Sequence, residues 1–187
     1  MSASRVIRVG VTGHRSFTDA EAVAELVRAG LDSVRRSGGD EASAVPARLE
    51  ILSALAEGAD RLVAEVALSE PDTTLVAVLP LAREDYLDDF PTMESRREFE
   101  DLLAASRAVE TMPPAATREA AYERAGRWIV EHCDTLVALW DRDPARGQGG
   151  TAEIVTYAVE RAVPILWVRT TRPRQESSWR EYLGDRE

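Results

Sequence analysis

Short runs rich in valine, isoleucine and leucine alternate in this chain with stretches whose apolar residues recur every three to four positions. That alternation restricts the fold more than any single motif. The apolar runs are residues 6–11, 49–55, 74–79, 108–112, 135–140 and 163–168. Several lack polar alternation, which marks a strand buried on both faces. Between the first two runs, after Asp19, Val23, Leu26, Val27, Leu31 and Val34 make the stripe of a helix packed on a sheet. A second stripe, Leu62, Val63, Val66 and Leu68, follows Asp60, which has the chemistry of a helix N-cap. Ala121, Ala125, Trp128, Ile129 and His132 share one face of a third helix, and residues 154–161 read as a fourth. The acidic segment 82–106 ends in a helical pattern around Phe99, Leu102 and Leu103. Its first half, Tyr86 to Phe90 and Pro91, reads as a lid or an irregular crossover. The whole predicts an α/β, Rossmann-like three-layer fold with a mostly parallel central sheet and helices on both faces.

One such domain is expected over residues 1–169, with 170–187 a charged C-terminal tail. There Trp179, Tyr182 and Leu183 form one docked helical turn, or the tail is loose. A length of 187 residues suits one domain with a core that needs no cross-links. The formal net charge of −10 disfavours nucleic acid as a partner, because binding to a duplex runs on phosphate neutralisation by Lys and Arg. Cys133 is the single cysteine, so neither an internal disulfide nor a cysteine-based zinc cluster is available. It falls within a helical pattern and reads as a semi-buried thiol. The first residues carry no apolar stretch after their charge, and no run approaches membrane-spanning length, so a cytoplasmic protein is expected.

The polar and glycine residues gather where the strands end. Thr12-Gly13-His14-Arg15 follows the first strand, Ala56-Glu57-Gly58-Ala59-Asp60 the second, and Asp141 to Thr151 the fifth. In open α/β sheets ligands bind beyond the carboxyl ends of strands. Gly147-Gln148-Gly149-Gly150-Thr151-Ala152-Glu153 joins a strand to a helix start. There free N–H groups and the helix dipole favour an anion, and glycine lets a phosphate come close. Thr151 either caps the helix or binds a phosphate oxygen. Gly13 permits an approach that a side chain would block, and His14 and Arg15 are within reach of an anion. Glu57, Asp141 and Asp143 either bond to ribose hydroxyls or are turn residues. His132 reads as structural, and no metal or cofactor is called for.

The strand ending in Thr12-Gly13-His14-Arg15, the turn and helix Glu57-Gly58-Ala59-Asp60-Arg61-Leu62-Val63-Ala64, and Gly149-Gly150-Thr151 together resemble the SLOG superfamily. This group of Rossmann-like nucleotide-binding domains includes the Lonely Guy phosphoribohydrolases, the lysine-decarboxylase-like proteins, DNA-processing protein A and YpsA-like proteins. The resemblance covers about residues 6–168. It implies a nucleotide phosphate over Gly149, Gly150 and Thr151, with Gly13 closing the other side, and dimers are common among such proteins. The phosphoribohydrolases place a key glutamate three residues after the threonine. Here Ile154 holds that position and Glu153 stands one residue early, a rotation of about 100° on a helix. Residues 134–168 are also similar to the end of nucleoside deoxyribosyltransferases.

The resemblance leads to an expected function: binding of a nucleotide-derived ligand at Gly13, His14, Arg15, Glu57, Gly58, Asp141, Gly149, Gly150 and Thr151. As an enzyme the chain would hydrolyse an N-glycosidic bond, with Glu153 stabilising an oxocarbenium-like transition state. The alternatives are a nucleotide-sensing module without turnover and a deoxyribosyltransferase-like enzyme. A single-stranded DNA binder is disfavoured by the acidic net charge.

Overall fold

The computed structural model describes residues 5–39, 46–141 and 150–170, and the backbone of 181–182. The elements in chain order are β1 (Val6–Gly13), α1 (Ala20–Ser37), β2 (Arg48–Ser53), α2 (Ala59–Leu68), β3 (Thr73–Leu79), α3 (Arg83–Leu87) and α4 (Met93–Ala105). They continue with β4 (Ala108–Thr111), α5 (Arg118–His132), β5 (Thr135–Leu139), α6 (Thr151–Glu160), β6 (Ile165–Val168) and β7 (Glu181–Tyr182). The sheet runs in the order β4-β3-β2-β1-β5-β6-β7. The six strands from β4 to β6 are parallel, as the alternation of strand and helix predicts. The fold is Rossmann-like, with helices on both faces.

Strand alternation sends side chains to two cores. Val9, Ile51, Leu75, Val137 and Leu139 point to the face covered by α1, α2 and α4, where Val27, Val63, Ala64 and Phe99 meet them. Leu52, Val76, Val78, Leu136 and Ala138 point to the opposite face, against Ala125 and Ile129 of α5 and Ile154 and Ala158 of α6. The α1 stripe is legible in the sequence because Val23, Val27 and Leu31 are buried at helical spacing. Asp19 caps that helix by accepting a hydrogen bond from the Ala22 amide at 3.3 Å.

Two sequence expectations change, and a third, lid or crossover, narrows to one of its alternatives. The cap of α2 is Gly58, and Asp60 lies inside the helix with its carboxylate buried. The first half of the acidic segment is a crossover containing α3 and no lid: Tyr86 and Phe90 are buried against Phe99 in one aromatic cluster. Asp89 ties that cluster to α5, accepting from Arg118 at 2.8 Å and from the Tyr122 hydroxyl. Near the C-terminus, Glu181 and Tyr182 pair antiparallel with Leu166 and Ile165, so this part of the tail adds a strand and no helical turn. The reason is that β6 would otherwise present an unpaired edge, and a two-residue partner needs no apolar periodicity to fill it. The other tail residues beyond Thr170, including Trp179 and Leu183, lie outside the described residues.

Candidate functional site

The chain builds β1 to β4 outward on one side, then returns to lay β5 beside β1. The switch in direction opens a crevice between the carboxyl ends of β1 and β5, the usual ligand position in this architecture. Two expected residues meet there. His14 Nε2 hydrogen-bonds the Asp141 carboxylate at 2.7 Å, and the His14 amide donates to Leu139 O at 3.1 Å.

Two glycines make this junction possible, and both serve packing. A Cβ on Gly13 would stand 2.4 Å from Cβ of Ala59 and 2.8 Å from Leu139, so the absent side chain lets β1, β5 and α2 close on one another. Gly58 has a φ of +84°, and a Cβ there would fall 2.4 Å from the Arg15 carbonyl. The Ala59 amide then donates to His14 O at 3.0 Å. The start of α2 is therefore sealed by the first-strand turn.

Beneath that turn lies a buried polar layer. Asp60 accepts from the Ala56 amide at 3.3 Å, and burial pushes its carboxyl up to about 7. Arg61 donates to Leu55 O at 3.1 Å and to both Ser95 O and Ser95 Oγ at 2.9 Å, with its guanidinium 4.4 Å from the Phe90 ring centre. The Ser95 hydroxyl donates in turn to Glu57, which draws this carboxylate toward α4 and into the scaffold. Arg15 is exposed and stands 5.3 Å from the Tyr122 ring centre. Burial raises the Tyr122 phenol to about 12, with the Asp89 hydrogen bond adding to the effect. Tyr122 carried no functional signal in the sequence, because it lies on a helix whose apolar stripe gave it no distinct position.

The second glycine-capped helix differs from the first. α6 starts at Thr151 after Gly150, which is extended (φ −75°, ψ 163°), and among the described residues no side-chain cap is made there. Gly150, Thr151 and Ala152 are only half-buried. By contrast α1, α4 and α5 are capped by Asp19, Thr92 and Thr117. Gly149 and Asp143 lie outside the described residues. Glu153 is exposed and lines a groove of about 620 Å³ between α5 and α6, together with Glu123, Arg127, Thr156 and Tyr157. Ile154 takes the inward position against Gly126 and the α5 core. Cys133 is half-buried, and burial raises its thiol to about 11, so it has no nucleophilic character near neutral pH. Among the described residues no group of three His, Cys, Asp or Glu side chains is placed to hold a metal. None of the described helices is long and apolar enough to cross a membrane.

Neither known family models nor curated proteins include a match to this chain. Among solved structures it is similar to DNA processing protein A from Helicobacter pylori, described for its single-stranded DNA binding mode. The identity is 16%, the TM-score 0.56, and the match covers 92% of this chain and 68% of the other. This finding overturns two expectations. The fold matches that of a single-stranded DNA-binding protein, which displaces nucleotide binding with N-glycosidic hydrolysis, and equally the sensing and deoxyribosyltransferase alternatives. The placement of Glu153 agrees: one residue of helix rotation turns it outward, into the groove beside α5. The expectation that nucleic acid is disfavoured as a partner falls for the same reason. A net charge of −10 sums the whole surface and does not describe the potential at one edge of a sheet. What the likeness establishes for this chain is a Rossmann-like α/β fold.

Proposed function

We propose that this chain is a SLOG-type domain of the cytoplasm that binds single-stranded nucleic acid across the β1/β5 crevice. The observation that carries the reading is the asymmetry between the two glycine-capped helices. Neither has a side-chain cap among the described residues; the start of α2 is closed by His14 O, whereas among the described residues no carbonyl from outside the helix closes the start of α6, which lies at the same edge of the sheet. An uncapped helix start offers amide donors and the positive end of the dipole to a backbone phosphate. Arg15 supplies a full positive charge beside the crevice, and the Tyr122 ring supports its guanidinium. His14, with its Nε2 held by Asp141, lies at the crevice itself. The fold likeness to a single-stranded DNA-binding protein supports the same reading.

The test is a fluorescence anisotropy titration of a labelled oligothymidylate at low salt, with an equally long duplex as competitor. The reading expects saturable binding to the single strand, weaker competition by the duplex, and a loss of roughly tenfold in Arg15→Ala, the cost of one charge-assisted contact. The few phosphates engaged predict a shallow salt dependence, with the slope reduced by about 0.7 in that variant. A flat titration at low salt, or an Arg15→Ala variant that binds as the parent does, would overturn it.

A further inference from the structure

Arg15 leaves the first-strand turn above the start of α2, and the two segments are locked together. The Ala59 amide donates to His14 O at 3.0 Å, and Gly58 lies so close to the Arg15 carbonyl that no Cβ fits between them. Asp60, the second residue of α2, is thereby held buried beneath the turn, where the charge of Arg15 acts on its carboxyl. Other charged and titratable groups face this pair from every side. α3 brings Tyr86, whose hydroxyl is buried with no hydrogen-bond partner among the described residues. α5 brings Tyr122, its ring centre 5.3 Å from the Arg15 guanidinium and 6.0 Å from that of Tyr86. The loop after α3 brings Asp89, and α2 itself brings Arg61. Most of these are engaged elsewhere. Asp89 accepts from Arg118 at 2.8 Å and from the Tyr122 hydroxyl. Arg61 donates to Leu55 O, to Ser95 and to Glu98, and Glu57 turns to Ser95 of α4. The Asp60 carboxyl accepts from the Ala56 amide at 3.3 Å and faces the Ala54 amide, and among the described residues no side chain donates to it.

We infer that Asp60 is a proton-linked positioning residue for Arg15, so that the crevice binds a single strand tightly with Asp60 protonated and weakly with Asp60 ionised. This rests on the single-strand reading and adds to it the regulation of that same site. With a neutral carboxyl beneath it, Arg15 keeps an uncompensated charge at the exposed edge, where a backbone phosphate meets it. An ionised carboxyl competes with the phosphate for that one guanidinium and repels the phosphate through a poorly screening interior. The coupling is reciprocal: a phosphate on Arg15 raises the proton affinity of Asp60, so binding takes up a proton. Burial already moves this carboxyl up to about 7, which puts the change near neutral pH. The sign follows: affinity is highest below the folded pKa and falls as pH rises through it. The lock between the Arg15 carbonyl and Gly58 makes the coupling direct, because the carboxyl has no room to retreat from the turn when it ionises.

The experiment titrates a labelled oligothymidylate at about pH 6 and about pH 8.5, at one low ionic strength, with the parent, Asp60→Asn, Arg15→Ala and His14→Gln. The ratio of the two affinities is read within each protein. The parent is expected to bind roughly fivefold tighter at the lower pH, the low end of coupling between two sites. Asp60→Asn mimics the neutral acid and should hold the tighter affinity at both values. Arg15→Ala should bind weakly at both, with a ratio near one. His14→Gln, whatever it does to the affinity, should keep the parent's ratio. A second measurement needs no change at Asp60: calorimetric titration of the parent at about pH 7 in two buffers of different ionisation enthalpy should show proton uptake on binding, and Arg15→Ala should show less. Equal parental affinity at both pH values, binding without proton uptake, or a pH dependence that survives in Asp60→Asn and vanishes in His14→Gln would overturn the role of Asp60 while leaving the phosphate site standing. Binding at neither pH would overturn the single-strand reading and this inference with it.

Discussion

Asp60 shows what a single buried carboxyl does to this molecule. It lies in the first turn of α2 beneath the first-strand turn, and burial raises it from 3.8 to about 7, although the Ala56 amide and the charge on Arg15 favour ionisation. Between those values the folded chain holds a proton that the unfolded chain has released. Its contribution to stability is thus fully present below the unfolded pKa and is lost as pH rises through the folded one. Three units correspond to about 4 kcal/mol as an upper bound. Asp60→Asn removes the titration, so its stability should vary less with pH than that of the parent, with the difference developing between about pH 4 and pH 7. Urea unfolding across that window checks this; parallel pH profiles for the two proteins would contradict it. Asp60 also shows where residue-level reading of the sequence stops. Its type and position suit an N-cap, but Gly58, with its φ of +84°, takes that role because only glycine tolerates the Arg15 carbonyl so close. That carbonyl belongs to a residue 43 positions earlier, and nothing local announces it.

At the scale of elements, α2 and α6 look alike in sequence: a glycine, a small residue, then an acidic residue in the first turn. The structure separates them by what lies over their starts. His14 O closes α2, and among the described residues nothing from outside the helix closes the start of α6. Gly150→Asp tests the difference directly. The extended backbone of Gly150 suits an aspartate cap, which favours the helix by a few tenths of a kcal/mol. The same carboxylate would occupy the amide site and repel a phosphate. Thermal melting should therefore be unchanged or slightly raised while oligonucleotide affinity falls at least tenfold; loss of both together would point to a structural turn. The strand runs and the stripes of α1, α2 and α5 were legible because burial on a sheet imposes periods of two and 3.6. The crossover 82–106 was legible only in its second half. Tyr86 to Phe90 left a lid and an irregular crossover both open because charged neighbours surround the two rings, and both are buried in an aromatic cluster that α4 completes from a distance in sequence.

For the molecule as a whole, topology decides more than composition. A strand order of β4-β3-β2-β1-β5-β6 brings the Thr12 to Arg15 turn, Asp141 and the start of α6 to one edge, although more than a hundred residues separate them. The sequence showed that these stretches end strands; the strand order that unites them is set by long-range pairing. Net charge misled in the opposite way, because it averages over a surface whose acidic groups include the α5–α6 groove of Glu123, Glu153 and Glu160. The central claim is that single-stranded nucleic acid lies across the β1/β5 edge. The most direct test is a two-dimensional amide NMR titration of the labelled protein with an oligothymidylate at low salt. The account predicts that shifts concentrate at Gly13 to Arg15, Trp140, Asp141 and Gly150 to Ala152. Shifts confined to the opposite edge of the sheet or to the α5–α6 groove, or no shifts at all, would contradict it.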